Sequence, residues 1–273
     1  MTILEKINKI VAQNNSLVCV GLDSELTKLP DCVKNKPNPQ FEFNKAIIDA
    51  THDLVSAYKP NSAFYEANGE QGIKELKMTC DYLAENYPEI VIILDAKRAD
   101  IGNTNNGYVN FAYNYLRADA ITLHPYLGEE ALKPFLDNPE KGCIILCRTS
   151  NQSAGEFQDL ETNGEKLFIT VAKRVNEVWN KNNNCLMVIG ATYPEELAEV
   201  RKIVPTMYFL VPGIGAQGGD VEKTVTAGLN ADKNGLLVNS SRGIIFASAG
   251  DDFATVARAE AMKLRDEINK YRL

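Results

Sequence analysis

Short apolar runs alternate along this chain with stretches in which apolar residues recur every three or four positions. Runs of the first kind fall at 17–22, 57–63, 90–95, 120–123, 142–147, 186–190, 208–211 and 236–239, and each reads as a strand buried on both faces. The second kind covers 41–55, 71–86, 104–116, 128–136, 164–179, 195–203, 220–227 and 252–271, and reads as amphipathic helix. Eight strands, each followed by a helix, is the count of a closed (β/α)8 TIM barrel of the α/β class. No linker rich in Pro, Gly or Ser divides the chain, so residues 1–273 are expected to form one barrel domain. Within 1–15, Ile3, Leu4, Ile7, Ile10 and Val11 share a helical face, and Thr2 and Glu5 have the spacing of a capping box. That predicts an extra N-terminal helix packing on the barrel rather than a secretion signal.

An open doubly wound sheet is the structural alternative. Its support is Gly213-Ile-Gly-Ala-Gln-Gly218, which matches a Gly-x-Gly-x-x-Gly fingerprint. Here, however, the glycines follow the seventh predicted strand and open no nucleotide-binding βαβ unit with a ribose-binding acid. The barrel is the better reading.

A barrel builds its active site at the C-terminal ends of its strands. At those positions the sequence sets Asp23; Lys59 and Asn61; Asp95, Lys97 and Asp100; Arg148-Thr-Ser-Asn151; the glycine-rich 213–219; and Asn239-Ser-Ser-Arg-Gly243. The run Leu94-Asp-Ala-Lys-Arg-Ala-Asp100 is the densest of these. Strand alternation places Asp95 and Lys97 on one face and Ala96 on the other. Lys59, Asp95, Lys97 and Asp100 are expected to pair into a network of alternating charge, because a buried carboxylate stays ionised only beside such partners. A lysine held between carboxylates keeps its proton at neutral pH and so suits proton donation. The last two loops read as a phosphate site: glycines let backbone N–H groups approach an anion, and Arg242 supplies a forked cation.

Composition narrows the class. The net charge of −7 argues against nucleic acid as a partner, and no apolar run is long enough to span a membrane. Six scattered cysteines without a Cys-x-x-Cys pair, and only two histidines, predict buried thiols, no metal site and a reducing, cytoplasmic location. Nothing suggests a bound cofactor. The segment 24–40, rich in Pro and Lys, is expected to be a surface loop.

The motifs Val20-Gly-Leu-Asp23, Tyr58-Lys-Pro-Asn61, Leu94-Asp-Ala-Lys-Arg-Ala-Asp-Ile-Gly-Asn-Thr104, Arg148-Thr-Ser-Asn151, Pro212-Gly-Ile-Gly-Ala-Gln-Gly-Gly219 and Ser241-Arg-Gly243 together resemble the orotidine 5′-phosphate decarboxylase family, in its longer-chain subgroup. The resemblance implies conversion of orotidine 5′-monophosphate (OMP) to UMP and CO₂ without cofactor or metal. It implies Lys97 as proton donor to C6 of the pyrimidine and Asp95 against the departing carboxylate, with Lys59 and Asp100 completing the charge network. It further implies that Asp23 and Lys59 contact ribose, that Ser150 meets the pyrimidine edge, and that Gln217 and Arg242 grip phosphate. Asn61, Pro212 and Gly218 join them in the substrate site. The family resemblance also implies a homodimer in which Asp100, Ile101 and Thr104 serve the neighbouring subunit. A magnesium-dependent sugar-phosphate relative would have a glutamate near the end of the second strand, where this chain has Lys59. A non-catalytic nucleotide-binding barrel would have no use for both lysines.

Overall fold

The eight apolar runs pair, each with its neighbours in sequence, into a closed parallel barrel. The computed structural model describes residues 1–214 and 219–272. Its barrel strands are β1 (Val18–Gly21), β2 (Ala57–Lys59), β3 (Val91–Arg98), β4 (Ala120–Leu123), β5 (Gly142–Arg148), β6 (Cys185–Ile189), β7 (Phe209–Pro212) and β8 (Leu236–Ser240). Val18 pairs with Val238 and Gly21 with Lys59, which closes the ring through β1 and overturns the open-sheet alternative. Helices cover the outer face, and the strands are apolar nearly throughout because they are buried on both sides.

The N-terminal helix, α1 (Ile3–Asn14), has the predicted capping box, with Thr2 N–H donating to Glu5 and Glu5 N–H to the Thr2 hydroxyl. It lies across the strand N-termini. Lys6 bonds Asp119 just before β4 at 2.6 Å, and the Tyr208 hydroxyl bonds Asn8 just before β7 at 2.7 Å. This helix thus covers the end of the barrel opposite the candidate site.

Four local departures from the sequence reading have physical causes. The second strand ends at Lys59 rather than 63: Pro60 has no N–H for the ladder, and Asn61 caps Ala63 N–H at the start of a short helix, Ala63–Glu66. The third strand instead runs on to Arg98 through an irregularity. The helices expected at 104–116 and 164–179 finish in π-turns, Asn110–Tyr115 and Val175–Trp179, and a two-stranded hairpin (Glu161–Thr162 with Glu165–Lys166) precedes the second of them. The 24–40 segment is partly structural: Leu29 and Val33 are buried, and buried Gln40 donates to the Ser24 carbonyl at 2.7 Å.

Candidate active site

Asp95 is the centre of the rim. It lies near the end of an apolar strand, is 8% exposed, and accepts four hydrogen bonds. Lys59 Nζ donates to Oδ2 at 2.9 Å and Asn61 Nδ2 to the same oxygen at 3.3 Å. Lys97 Nζ donates to Oδ1 at 2.7 Å, joined there by the Thr122 hydroxyl at 2.9 Å. Burial pushes the Asp95 carboxyl up, but Lys59 and Lys97 outweigh it and hold the group well below the usual carboxylate range. Burial likewise works against the Lys59 charge, and Asp95 and Asp23 more than restore it. Asp23 Oδ1 lies 3.9 Å from Lys59 Nζ, within ion-pair but beyond hydrogen-bond range.

The alternation expected of β3 does not hold at its end. The register against β4 shifts between Leu94 and Arg98, and Lys97 takes a left-handed backbone at φ 46°. Asp95 and Lys97 still meet because this bulge re-aims the lysine, leaving half of its side chain exposed above a carboxylate that is only one-tenth exposed. Asp100 does not join the network within the chain, contrary to the expected four-residue array. Its carboxylate accepts from Ile101 N–H at 2.7 Å, while buried Asn105 accepts the Asp100 N–H and ties that backbone to the helix Thr104–Val109. Ile101 is 63% exposed and Thr104 is exposed, and neither lines a cavity with Lys97.

Two cavities meet at Lys59, Asp95 and Pro212. The smaller, about 180 Å³, is polar, with Asp23, Asn61, Asn239, Ser240, Ser241 and Arg242 on its wall. The larger, about 460 Å³, combines Lys97, Thr122 and Ser150 with the apolar side chains Leu146, Val188 and Leu210. One chamber therefore suits a polar, anionic group and the other a flat, partly apolar ring, with the charged array between them. Gln217 and Gly218 fall outside the described residues.

Ser150 is positioned from below and behind. Gly190 packs so closely that a Cβ there would lie 2.8 Å from the Ser150 Cβ. Arg148, 3% exposed, reaches Glu196 at 2.5 Å and Asp159 at 3.3 Å and stacks over the Tyr193 ring at 4.7 Å. Gln158 accepts the Thr149 N–H at 2.9 Å, fastening the same loop to its own distal end.

Sequence reasoning missed Thr122, Gln158 and the wall of Leu146, Val188 and Leu210. Thr122 left a usable signal, as the one polar residue in the strand Ala120–Leu123. Gln158 left none, because its role arises from a loop that folds back. Among the described residues, no group of three or more His, Cys, Asp or Glu side chains is arranged to hold a metal, and no helix is long and apolar enough to cross a membrane.

A parallel α/β barrel with a saturated charge array at its C-terminal rim, and a polar chamber beside it, defines a barrel enzyme acting on an anionic small molecule. Residues 16–259 match the family described as "Orotidine 5′-phosphate decarboxylase / HUMPS family", and the chain belongs to it. It is 50% identical over 271 residues to the orotidine 5′-phosphate decarboxylase of Cellvibrio japonicus, covering 98% of each chain. The structure of Leishmania donovani OMP decarboxylase superposes with a TM-score of 0.87 at 38% identity, covering 100% of this chain and 99% of that one. Leishmania donovani UMP synthase superposes at 0.89 and 39% identity, and there the chain spans only 57% of the longer protein.

Proposed function

We propose that this protein decarboxylates orotidine 5′-monophosphate to UMP in pyrimidine biosynthesis, with Lys97 as the proton donor. The observation that carries the reading is the Lys59–Asp95–Lys97 array at the junction of the two cavities. A pyrimidine in the larger chamber and a ribose phosphate in the smaller would bring C6 and its carboxylate to that junction. Asp95, unable to move away from its four donors, then faces the substrate carboxylate. The repulsion is relieved as the C6–carboxylate bond breaks, CO₂ departs and the electron pair stays on C6. Lys97 Nζ delivers its proton to C6, and the neutral amine recovers one from solvent.

The remaining residues serve binding. Arg242, with Ser240 and Ser241 beside it, takes the phosphate together with Gln217 and Gly218; Asp23, Lys59 and Asn61 meet the ribose; Ser150 and Pro212 border the base. Such chemistry requires lowering a barrier by on the order of 20 kcal/mol, which no single ion pair supplies. Binding energy from the phosphate must be used at the distant carbon. The protein further acts as a homodimer in which Asp100, Ile101 and Thr104 complete the neighbouring site. Support for this lies in the exposure of Ile101 and in an Asp100 carboxylate turned away from its own chain's array.

The test is the ultraviolet absorbance of OMP mixed with EDTA-treated protein, beside Lys97→Ala. Loss of the orotate signal with the chelator present, slowed on the order of 10⁴-fold in the variant, is the expected result. No turnover by the wild type, or turnover that EDTA abolishes, would overturn it.

A further inference from the structure

Thr122 is 1% exposed and its hydroxyl makes two bonds at once. It accepts the Lys97 backbone N–H at 2.9 Å and donates to Asp95 Oδ1 at 2.9 Å. The first bond falls at the place where β3 loses its register against β4 and Lys97 turns left-handed. A non-glycine residue in that conformation is strained, and it persists only where its neighbours over-determine it. At this break in the ladder the Thr122 hydroxyl receives the N–H that a regular strand would give to a carbonyl.

The second bond acts on the carboxylate. Lys97 and Thr122 share Oδ1, while Lys59 and Asn61 share Oδ2. Both oxygens therefore carry two donors, and the plane of the carboxylate is held from both sides. With Oδ1 rotated, Lys97 would follow it, because the ammonium is anchored nowhere else in the chain's ion pairs among the described residues.

We propose that Thr122 is a positioning residue for the proton donor, holding the Lys97 backbone in its left-handed turn and the Asp95 carboxylate in the plane that directs the ammonium into the cavity. The inference rests on the decarboxylase reading for its kinetic consequence, but not for its structural one. Valine is the fitting substitution, because it matches threonine in shape and replaces the hydroxyl by a methyl group that can neither donate nor accept. Serine restores the hydroxyl without the methyl.

The experiment pairs two measurements on wild type, Thr122→Val and Thr122→Ser, with Thr122→Ala repeating the comparison should the valine variant not fold. The first is hydrogen exchange of the Lys97 amide in the free protein. Its protection is expected to fall about tenfold or more in Thr122→Val and to return in Thr122→Ser. The second is steady-state kinetics with OMP. Loss of a hydrogen bond to a charged group predicts a kcat lower by about tenfold to a hundredfold in Thr122→Val, KM within about twofold of wild type, and rescue by serine. Unchanged Lys97 exchange, or lost protection with unchanged kcat, would overturn the inference. So would equal losses in the serine and valine variants. If the wild type itself fails to turn over OMP, the decarboxylase reading falls, and the exchange measurement alone decides whether Thr122 holds Lys97.

Discussion

Lys59 Nζ and Asp95 Oδ2 stand 2.9 Å apart with only 4% and 10% of their side chains exposed. Two charges so far from water hold each other in place at considerable cost, and removing one leaves the other uncompensated. Lys59→Met is therefore expected to destabilise the fold by about 3 kcal/mol, since Asp95 keeps only Lys97 as a charged partner. The Lys59→Met, Asp95→Asn double variant should recover part of that loss. Urea unfolding of the wild type, the two single variants and the double variant measures it, and additive losses would show that the pair is not coupled.

The same pair sets a pH dependence whose sign can be worked out. The Asp95 carboxyl is held well below its ordinary value, so its contribution is fully present above the unfolded value of about 4 and is lost as pH falls through the folded one. Lys59 is raised, so its contribution is present below the unfolded value of about 10.4 and disappears as pH rises through the folded one. The stability difference between wild type and Asp95→Asn should therefore be level from about pH 5 to pH 9, shrink in acid below about pH 4, and shrink again in strong base as Lys59 loses its proton. Unfolding midpoints across that range test it. A difference that grows toward acid would have the wrong sign.

How far these relationships could be read from sequence depends on how local their causes are. The strand Val91–Arg98 announces itself by its β-branched run, and the capping box at Thr2 and Glu5 by its spacing. Lys97 was legible as chemistry but not as geometry, because alternation assumes a regular pleat and the bulge that re-aims it depends on Thr122 from another strand. Asp100 lay in the same motif, yet its carboxylate accepts from the Ile101 N–H and its backbone is tied to Asn105, five residues on. Arg148 stood in a legible motif as well. What it does there depends on Glu196 and Tyr193, some fifty residues downstream, and no local pattern links them.

At Gly190 the available space decides the outcome. An added Cβ would lie 2.8 Å from the Ser150 Cβ and 2.9 Å from its backbone nitrogen, tighter than any normal contact. Gly190→Ala must push Ser150 toward the cavity, so KM for OMP should rise by about tenfold, and stability should fall by about 1–3 kcal/mol, as for other overpacked sites. Kinetics and thermal unfolding together check this. An unchanged KM would mean that Ser150 does not border the bound base.

Arg148 gives the last test, because its role divides from that of a simple charge. Burial works against its positive charge, and Glu196 with Asp159 more than compensates, so the guanidinium stays ionised inside the loop. Its fork reaches Glu196 through Nε at 2.5 Å and through Nη2 at 3.3 Å while its plane lies over Tyr193. A lysine keeps the charge but neither the fork nor the stacking plane. Arg148→Lys is therefore expected to fall short of rescue, losing about 2 kcal/mol of stability, against about 3 kcal/mol or more for Arg148→Met, which strands Glu196. Both variants should free the loop that carries Ser150, in which Phe157 and Leu160 are already exposed. Limited chymotrypsin digestion reads that directly: cleavage near Phe157 should quicken in Arg148→Lys and more so in Arg148→Met. Added UMP should slow it again, since a ligand bound against Ser150 favours the folded form of the loop. Equal cleavage of Arg148→Lys and wild type would show that charge alone, without the fork, holds the loop.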